Sequence, residues 1–143
     1  MVQVLRSVYD AMVAHVLTTP TQESCGLLSG KNGAITRLFP TDNVAENPTV
    51  RYEAAPLDVR RILEEIDGAG EQHLGIYHSH PNSSAYPSAT DRKLAAYDVT
   101  YIVISLKTRG KPQVRAFRLC KESPTDEDAL VREETIEIVD AAR

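Results

Sequence analysis

Gly75-Ile76-Tyr77-His78-Ser79-His80-Pro81 is the stretch that decides this chain, and Ser88 and Asp91 complete it as His-x-His-x7-Ser-x2-Asp. The run from Gln72 to Tyr77 carries apolar residues at alternate and adjacent positions, as a buried strand does. On a strand, residues i and i+2 face the same side, about 6.5–7 Å apart along the backbone. His78 and His80 can therefore close on one ion from one strand end. On a helix the same pair would diverge by about 200°. Imidazole and carboxylate suit a divalent zinc, and three protein ligands with one open position is its catalytic arrangement. Ser88 with Asp91 also reads as an N-cap and first-turn acid opening a helix over Ala89–Tyr97. The two readings agree, since a helix that starts at the metal sets both residues beside the histidines.

Other chemistries that use His-x-His fail on the neighbouring residues. A metallo-β-lactamase-like site wants Asp and His just after the second histidine, where Asn82 and Ser83 stand. A cupin needs a glutamate where Ser84, Ala85 and Tyr86 lie. A zinc deaminase needs His-x-Glu and Pro-Cys-x-x-Cys, and neither occurs. His15 sits in an N-terminal helical segment, and His73 is out of step with the pair, so neither reads as a further ligand. Glu23 alone would pass for a solvated loop carboxylate, the usual fate of a glutamate.

His-Ser-His-Pro-x6-Ser-x2-Asp after a strand, with the upstream Glu23 in Gln22-Glu23-Ser24-Cys25-Gly26-Leu27-Leu28-Ser29-Gly30, resembles the JAMM (MPN+) metalloprotease family. The likeness runs from the first helix through the strand after Asp91. It is nearest to the short bacterial and archaeal members, and Ala85–Asp91 is similar to the stretch found in peptidases of sulfur-carrier proteins. The resemblance implies one zinc held by His78, His80 and Asp91, with Glu23 as general base and Ser88 as oxyanion stabiliser. It also implies a sheet curled against helices, similar in architecture to cytidine deaminases. The chemistry asks for the same residue types. A zinc on two neutral imidazoles and one carboxylate keeps positive charge and acidifies water. A carboxylate outside the coordination sphere must then move the proton.

Length and composition agree with such an enzyme. With 143 residues the chain reads as one domain, 1–143, long enough to bury about two-thirds of its unfolded surface. A net charge of −4 from 16 basic and 20 acidic residues leaves no nucleic-acid footprint. No apolar run approaches a membrane span and no leader pattern opens the chain, so a cytoplasmic protein is expected. Cys25 and Cys120 make no disulfide scaffold. Cys25 reads as a small buried residue, and a link between the two stays open.

The pattern predicts an α/β (α+β) domain with a mixed sheet. Val8–Leu17 reads as a helix opened by Ser7. Cys25–Ser29 and Ala34–Phe39 read as a hairpin around Asn32-Gly33. Leu57–Ile66 is an amphipathic helix, and Leu74–His80, Tyr101–Leu106 and Gln113–Leu119 are strands. Val50–Glu53 reads as a short extended piece. The acidic tail from Glu122 leaves its conformation open: the pattern of Asp126–Glu134 is compatible with a helix, and Thr135–Val139 alternates like an edge strand. Thr41–Pro56 is the one stretch long enough for a substrate flap. A peptide lying along an exposed strand edge is the expected binding mode.

The family's polyubiquitin-gripping insertion has no room here, since only Arg92–Thr100 separates Asp91 from the next strand. A ubiquitin-like or sulfur-carrier protein ending in Gly-Gly, releasing for example cysteine, is the expected substrate and partner. A zinc hydrolase of small peptides without a protein partner remains an alternative. A non-catalytic MPN interaction scaffold is another, opposed by the intact residue set.

Overall fold

The computed structural model describes residues 1–108 and 110–141. The elements run β1 (Val2–Leu5), α1 (Arg6–Thr18), β2 (Cys25–Lys31), β3 (Ala34–Thr41), α2 (Pro56–Gly68), β4 (Gln72–His80), α3 (Ala89–Leu94), β5 (Thr100–Ser105), β6 (Gln113–Cys120), β7 (Leu130–Glu134) and β8 (Ile136–Val139). All eight strands form one sheet in the order β7-β6-β5-β4-β2-β3-β1-β8. It is mixed: β4 and β5 are parallel, as are β1 with β3 and β1 with β8, and the other neighbours are antiparallel. The outermost strands β7 and β8 are separated in sequence by Thr135 alone. The sheet therefore curls until its two margins nearly meet.

Alternation along the strands gives each face its own helix. Leu28 and Tyr77 point to one side, where Val8, Met12 and Val16 of α1 complete the main core with Ile35, Ile102 and Ile104. Leu27, one residue away from Leu28, points to the other side and packs under Ile62 and Ile66 of α2. His78 and His80 share the parity of Ile76 and so emerge on the α2 side. The hairpin β2–β3 turns through Asn32 and Gly33 at φ 54° and 76°, as Asn-Gly predicts.

Two elements depart from the sequence expectation, and the structure decides a third that the sequence leaves open. The first helix starts at Arg6 with Leu5 in the capping position and no side-chain cap, so Ser7 lies inside the first turn. The cause is β1, which pairs on both sides and feeds straight into the helix. The helix after Ser88 ends at Leu94 rather than Tyr97. The N–H of Tyr97 donates to the Tyr101 hydroxyl (3.1 Å), which turns the chain towards β5. Asp126–Glu134 is not helical. Asp126 closes a loop by accepting from the N–H groups of Glu122 and Ser123, and Leu130–Glu134 satisfies the open side of β6 as a strand. Among the described residues, no helix is long and apolar enough to cross a membrane.

Candidate metal centre

The parallel pair β4–β5 places His78 and His80 at the end of a strand with partners on both sides, β2 and β5. Cys25 of β2 lies opposite His78 in the antiparallel ladder, so Glu23, two residues earlier, arrives beside the same strand end. Ser79 fastens this junction. Its N–H donates to the Ser24 carbonyl at 3.0 Å, and its hydroxyl accepts the Ser24 N–H at 2.9 Å. On the other side α3 opens with a capping box. Ser88 Oγ accepts the Asp91 N–H at 3.0 Å, and Asp91 Oδ2 accepts the Ser88 N–H at 2.9 Å. That reciprocal pair fixes the aspartate's rotamer.

Glu23, His78, His80 and Asp91 each bring one ligand atom to this point, all within 4.8 Å of one another. Their exposures are 5%, 1%, 2% and 7%. The Nε2 atoms of His78 and His80 lie 3.1 Å apart, and each lies 3.1 Å from Asp91 Oδ2. His80 Nδ1 sits 2.8 Å from the Ser84 carbonyl, which only an N–H can satisfy. In the neutral ring its Nε2 is therefore a lone pair aimed at another acceptor. One proton serves one edge of this triangle well, whereas a divalent cation serves all three. Tetrahedral zinc bonds of about 2.0–2.1 Å set donor atoms roughly 3.3 Å apart, close to the spacing found. Glu23 Oε1 and His78 Nδ1 are buried without any hydrogen-bond partner. The unsatisfied Glu23 oxygen fits a site built for a cation and a water.

The electrostatics follow from burial and proximity. Burial pushes the Glu23 carboxyl up to about 7, with His80 opposing and Asp91 adding to the rise. Burial also resists ionisation of Asp91, but the charge and hydrogen bonds of the histidines hold it far below the usual carboxylate range. On His80 burial opposes protonation, and Asp91 with the Ser84 carbonyl reverses that to leave it raised. A carboxyl poised near neutrality beside a cation site is the expected property of a proton carrier.

Ser88 is joined to this cluster through Asp91. Its Oγ receives the Asp91 N–H, and its own hydrogen remains free to be donated. His15 and His73 lie elsewhere: His15 Nδ1 meets the Tyr77 hydroxyl at 2.7 Å on the opposite face, and His73 Nε2 meets the Gly75 carbonyl. Both cysteines are free thiols, Cys25 buried and Cys120 exposed, so no disulfide links them. Nothing in the spacing marks Tyr52, whose ring stacks on His78 with centroids 4.3 Å apart and 22° between planes. Nor does any pattern mark Asn43, whose side chain binds four backbone groups around the site.

A groove of about 1150 Å³ leads to the centre. Val59 and Leu63 of α2, Ile76 of β4, Tyr97 and Tyr52 line it, and Asp91 borders it. The strand that carries the histidines offers no free edge of its own. β4 lies between β2 and β5, and the sheet margins are β7 and β8. The stretch 42–55 lies beside the groove as a strap whose two ends pair with each other antiparallel, through Ala55 N–H to the Asp42 carbonyl (3.1 Å) and Val44 N–H to the Glu53 carbonyl (2.8 Å).

The profile of the family described as prokaryotic homologs of the JAB domain matches residues 5–120. A desampylase of Haloferax volcanii is 44% identical over 89 residues, which are 60% of this chain and 64% of that protein, so this chain spans under two-thirds of that relative. A CysO-cysteine peptidase of Mycobacterium tuberculosis is 33% identical over 128 residues, 87% of each chain. In structure, the JAB1/MPN domain protein AF2198 of Archaeoglobus fulgidus superposes with a TM-score of 0.60 at 15% identity, covering 96% of this chain and 97% of that one. The curled mixed sheet, the matched span and the convergence of Glu23, His78, His80 and Asp91 together place this chain in the prokaryotic JAB-domain family.

Proposed function

We propose that this chain is a zinc metallopeptidase that hydrolyses the amide after the C-terminal glycine of a ubiquitin-like or sulfur-carrier protein. The observation that carries the reading is the triangle of buried acceptors on His78, His80 and Asp91 with the unpartnered Glu23 carboxyl beside it. A zinc ion held by the two imidazoles and Asp91 supplies Lewis acidity for a water and for the scissile carbonyl. Glu23 accepts the proton of the attacking water and returns it to the departing amine. Ser88 donates its free hydroxyl hydrogen to the developing oxyanion. His80 holds its ligating tautomer through the Ser84 carbonyl, and the capping box keeps Asp91 in reach.

The substrate class rests on the relatives' names, desampylase and CysO-cysteine peptidase, and on the shape of the approach. The strap and the start of α3 crowd the centre, and only glycine lets a backbone come so close. Between Asp91 and β5 there is too little chain to embrace a large leaving group, so cysteine or another small amine fits the released side.

The test is mass spectrometry of carrier conjugates incubated with zinc-loaded protein, with and without chelator. Cleavage after Gly-Gly that stops on chelation is expected, and changing the penultimate Gly to Val should slow it far more than exchanging the released amino acid. Brisk hydrolysis of unrelated peptides with no cleavage of any Gly-Gly tail would instead establish a general peptidase.

A further inference from the structure

The two imidazoles of the centre are supported in different ways. A ligating histidine almost always donates its second ring N–H to a carbonyl, carboxylate or water, which fixes the ring and its tautomer. His80 does so through the Ser84 carbonyl at 2.8 Å. His78 does not: its Nδ1 is buried and bonded to nothing. What touches His78 instead is the face of Tyr52, stacked at 4.3 Å and 22°. Stacking restricts ring rotation and tilt without a hydrogen bond, and an offset aromatic pair adds attraction beyond its buried area.

Tyr52 is not held by a strand or helix, so something else must fix it. Asn43 donates from Nδ2 to the Arg51 carbonyl at 3.0 Å and receives the Glu53 N–H on Oδ1 at 3.0 Å. These two groups flank Tyr52 on either side. The same amide donates to the Glu23 carbonyl at 2.7 Å and receives the Ala45 N–H at 3.0 Å. Its two donor hydrogens and two acceptor sites are all used, which no other side chain of that length can do. The Glu23 N–H in turn donates to the Pro48 carbonyl at 2.8 Å. Both backbone groups of Glu23 and both neighbours of Tyr52 are thereby tied into one strap.

We propose that Tyr52 is a positioning residue for the metal ligand His78, taking by ring stacking the place of the missing hydrogen bond, and that Asn43 sets Tyr52 through the backbone on either side of it. The inference rests on the metal centre argued above and adds two residues that touch neither ion nor reacting bond. Tyr52 also lines the groove, so the ring that steadies the ligand is part of the wall a substrate meets.

The experiment compares zinc affinity, by competition with a chromogenic chelator, and the melting temperature of the metal-free protein. The set is wild type, Tyr52→Phe, Tyr52→Leu, Asn43→Asp and His80→Ala. Tyr52→Phe keeps the ring face and should bind zinc within about twofold of wild type. Tyr52→Leu fills much of the volume without a face, and Asn43→Asp removes two donors while leaving Tyr52 in the chain. Each should lose zinc affinity by about 10–100-fold, the usual effect of removing outer support. That loss should exceed anything the metal-free melting temperatures account for. Wild-type affinity in Tyr52→Leu overturns the positioning role, as does equal weakening in Tyr52→Phe. Should Tyr52→Leu fail to fold, Asn43→Asp decides the question, and wild-type affinity there overturns the proposal. Failure of wild type to outbind His80→Ala overturns the metal centre itself, a result distinct from any of these.

Discussion

Glu23 is the residue whose replacement separates holding a cation from using one. Glu23→Gln keeps size and polarity but cannot take a proton, so zinc content and melting temperature should stay while turnover falls by about 10²–10⁴. Wild-type turnover in that variant would remove Glu23 from the proton path. Ser88→Ala should cost about 10²–10³ in kcat, and, because Ser88 Oγ also receives the Asp91 N–H, about 1 kcal/mol of stability through the lost cap. A calorimetric scan beside the kinetics reads both losses. At this scale the sequence was most legible where spacing along one element carries the chemistry. His78, His80, Ser88 and Asp91 sit on one strand end and the helix start that follows it. Glu23 became legible only through the wider motif, since its burial arises from a strap folded over it. Tyr52 and Asn43 left no trace in the sequence because their partners come together only when that strap closes.

Among the elements, β2 and β4 show how tightly the centre's platform is packed. A Cβ on Gly26 would lie 2.5 Å from the Tyr77 ring and 2.6 Å from the Phe39 carbonyl oxygen. Tyr77 cannot simply swing aside, because its hydroxyl is bound to His15 at 2.7 Å. Gly26→Ala should therefore destabilise the protein by about 1–3 kcal/mol, as overpacked cores do, seen as a lower urea midpoint. An unchanged midpoint would mean that the two strands are free to separate. Local pattern found the hairpin, α2, β4, β5 and β6, whose periodicities match their burial. It overlooked β1 and left the segment of β7 open between helix and strand. Both are short strands: β1 forms on the distant β3 and β8, and β7 on the neighbouring β6 across the loop 121–129, and such pairing overrides local propensity.

For the molecule as a whole, the contrast between its two thiols offers a simple probe. Burial pushes the Cys25 thiol up to about 11, Thr41 opposing, while Cys120 is exposed. A chromogenic disulfide reagent at pH 8 should titrate one thiol in the native protein and a second only on unfolding, since the thiolate is the reactive form. Immediate reaction of both would show that the floor of the groove opens readily. The curled sheet has a consequence of its own, in time rather than in space. β1 pairs on its inner side with β3 but on its outer side with β8, joining Val2 to Ile136. At about 5–20 residues per second of synthesis, the first strand waits roughly 7 to 27 seconds for that last partner. Until then the nascent chain carries an open strand margin, so its exposure to mispairing is set by the ribosome's pace.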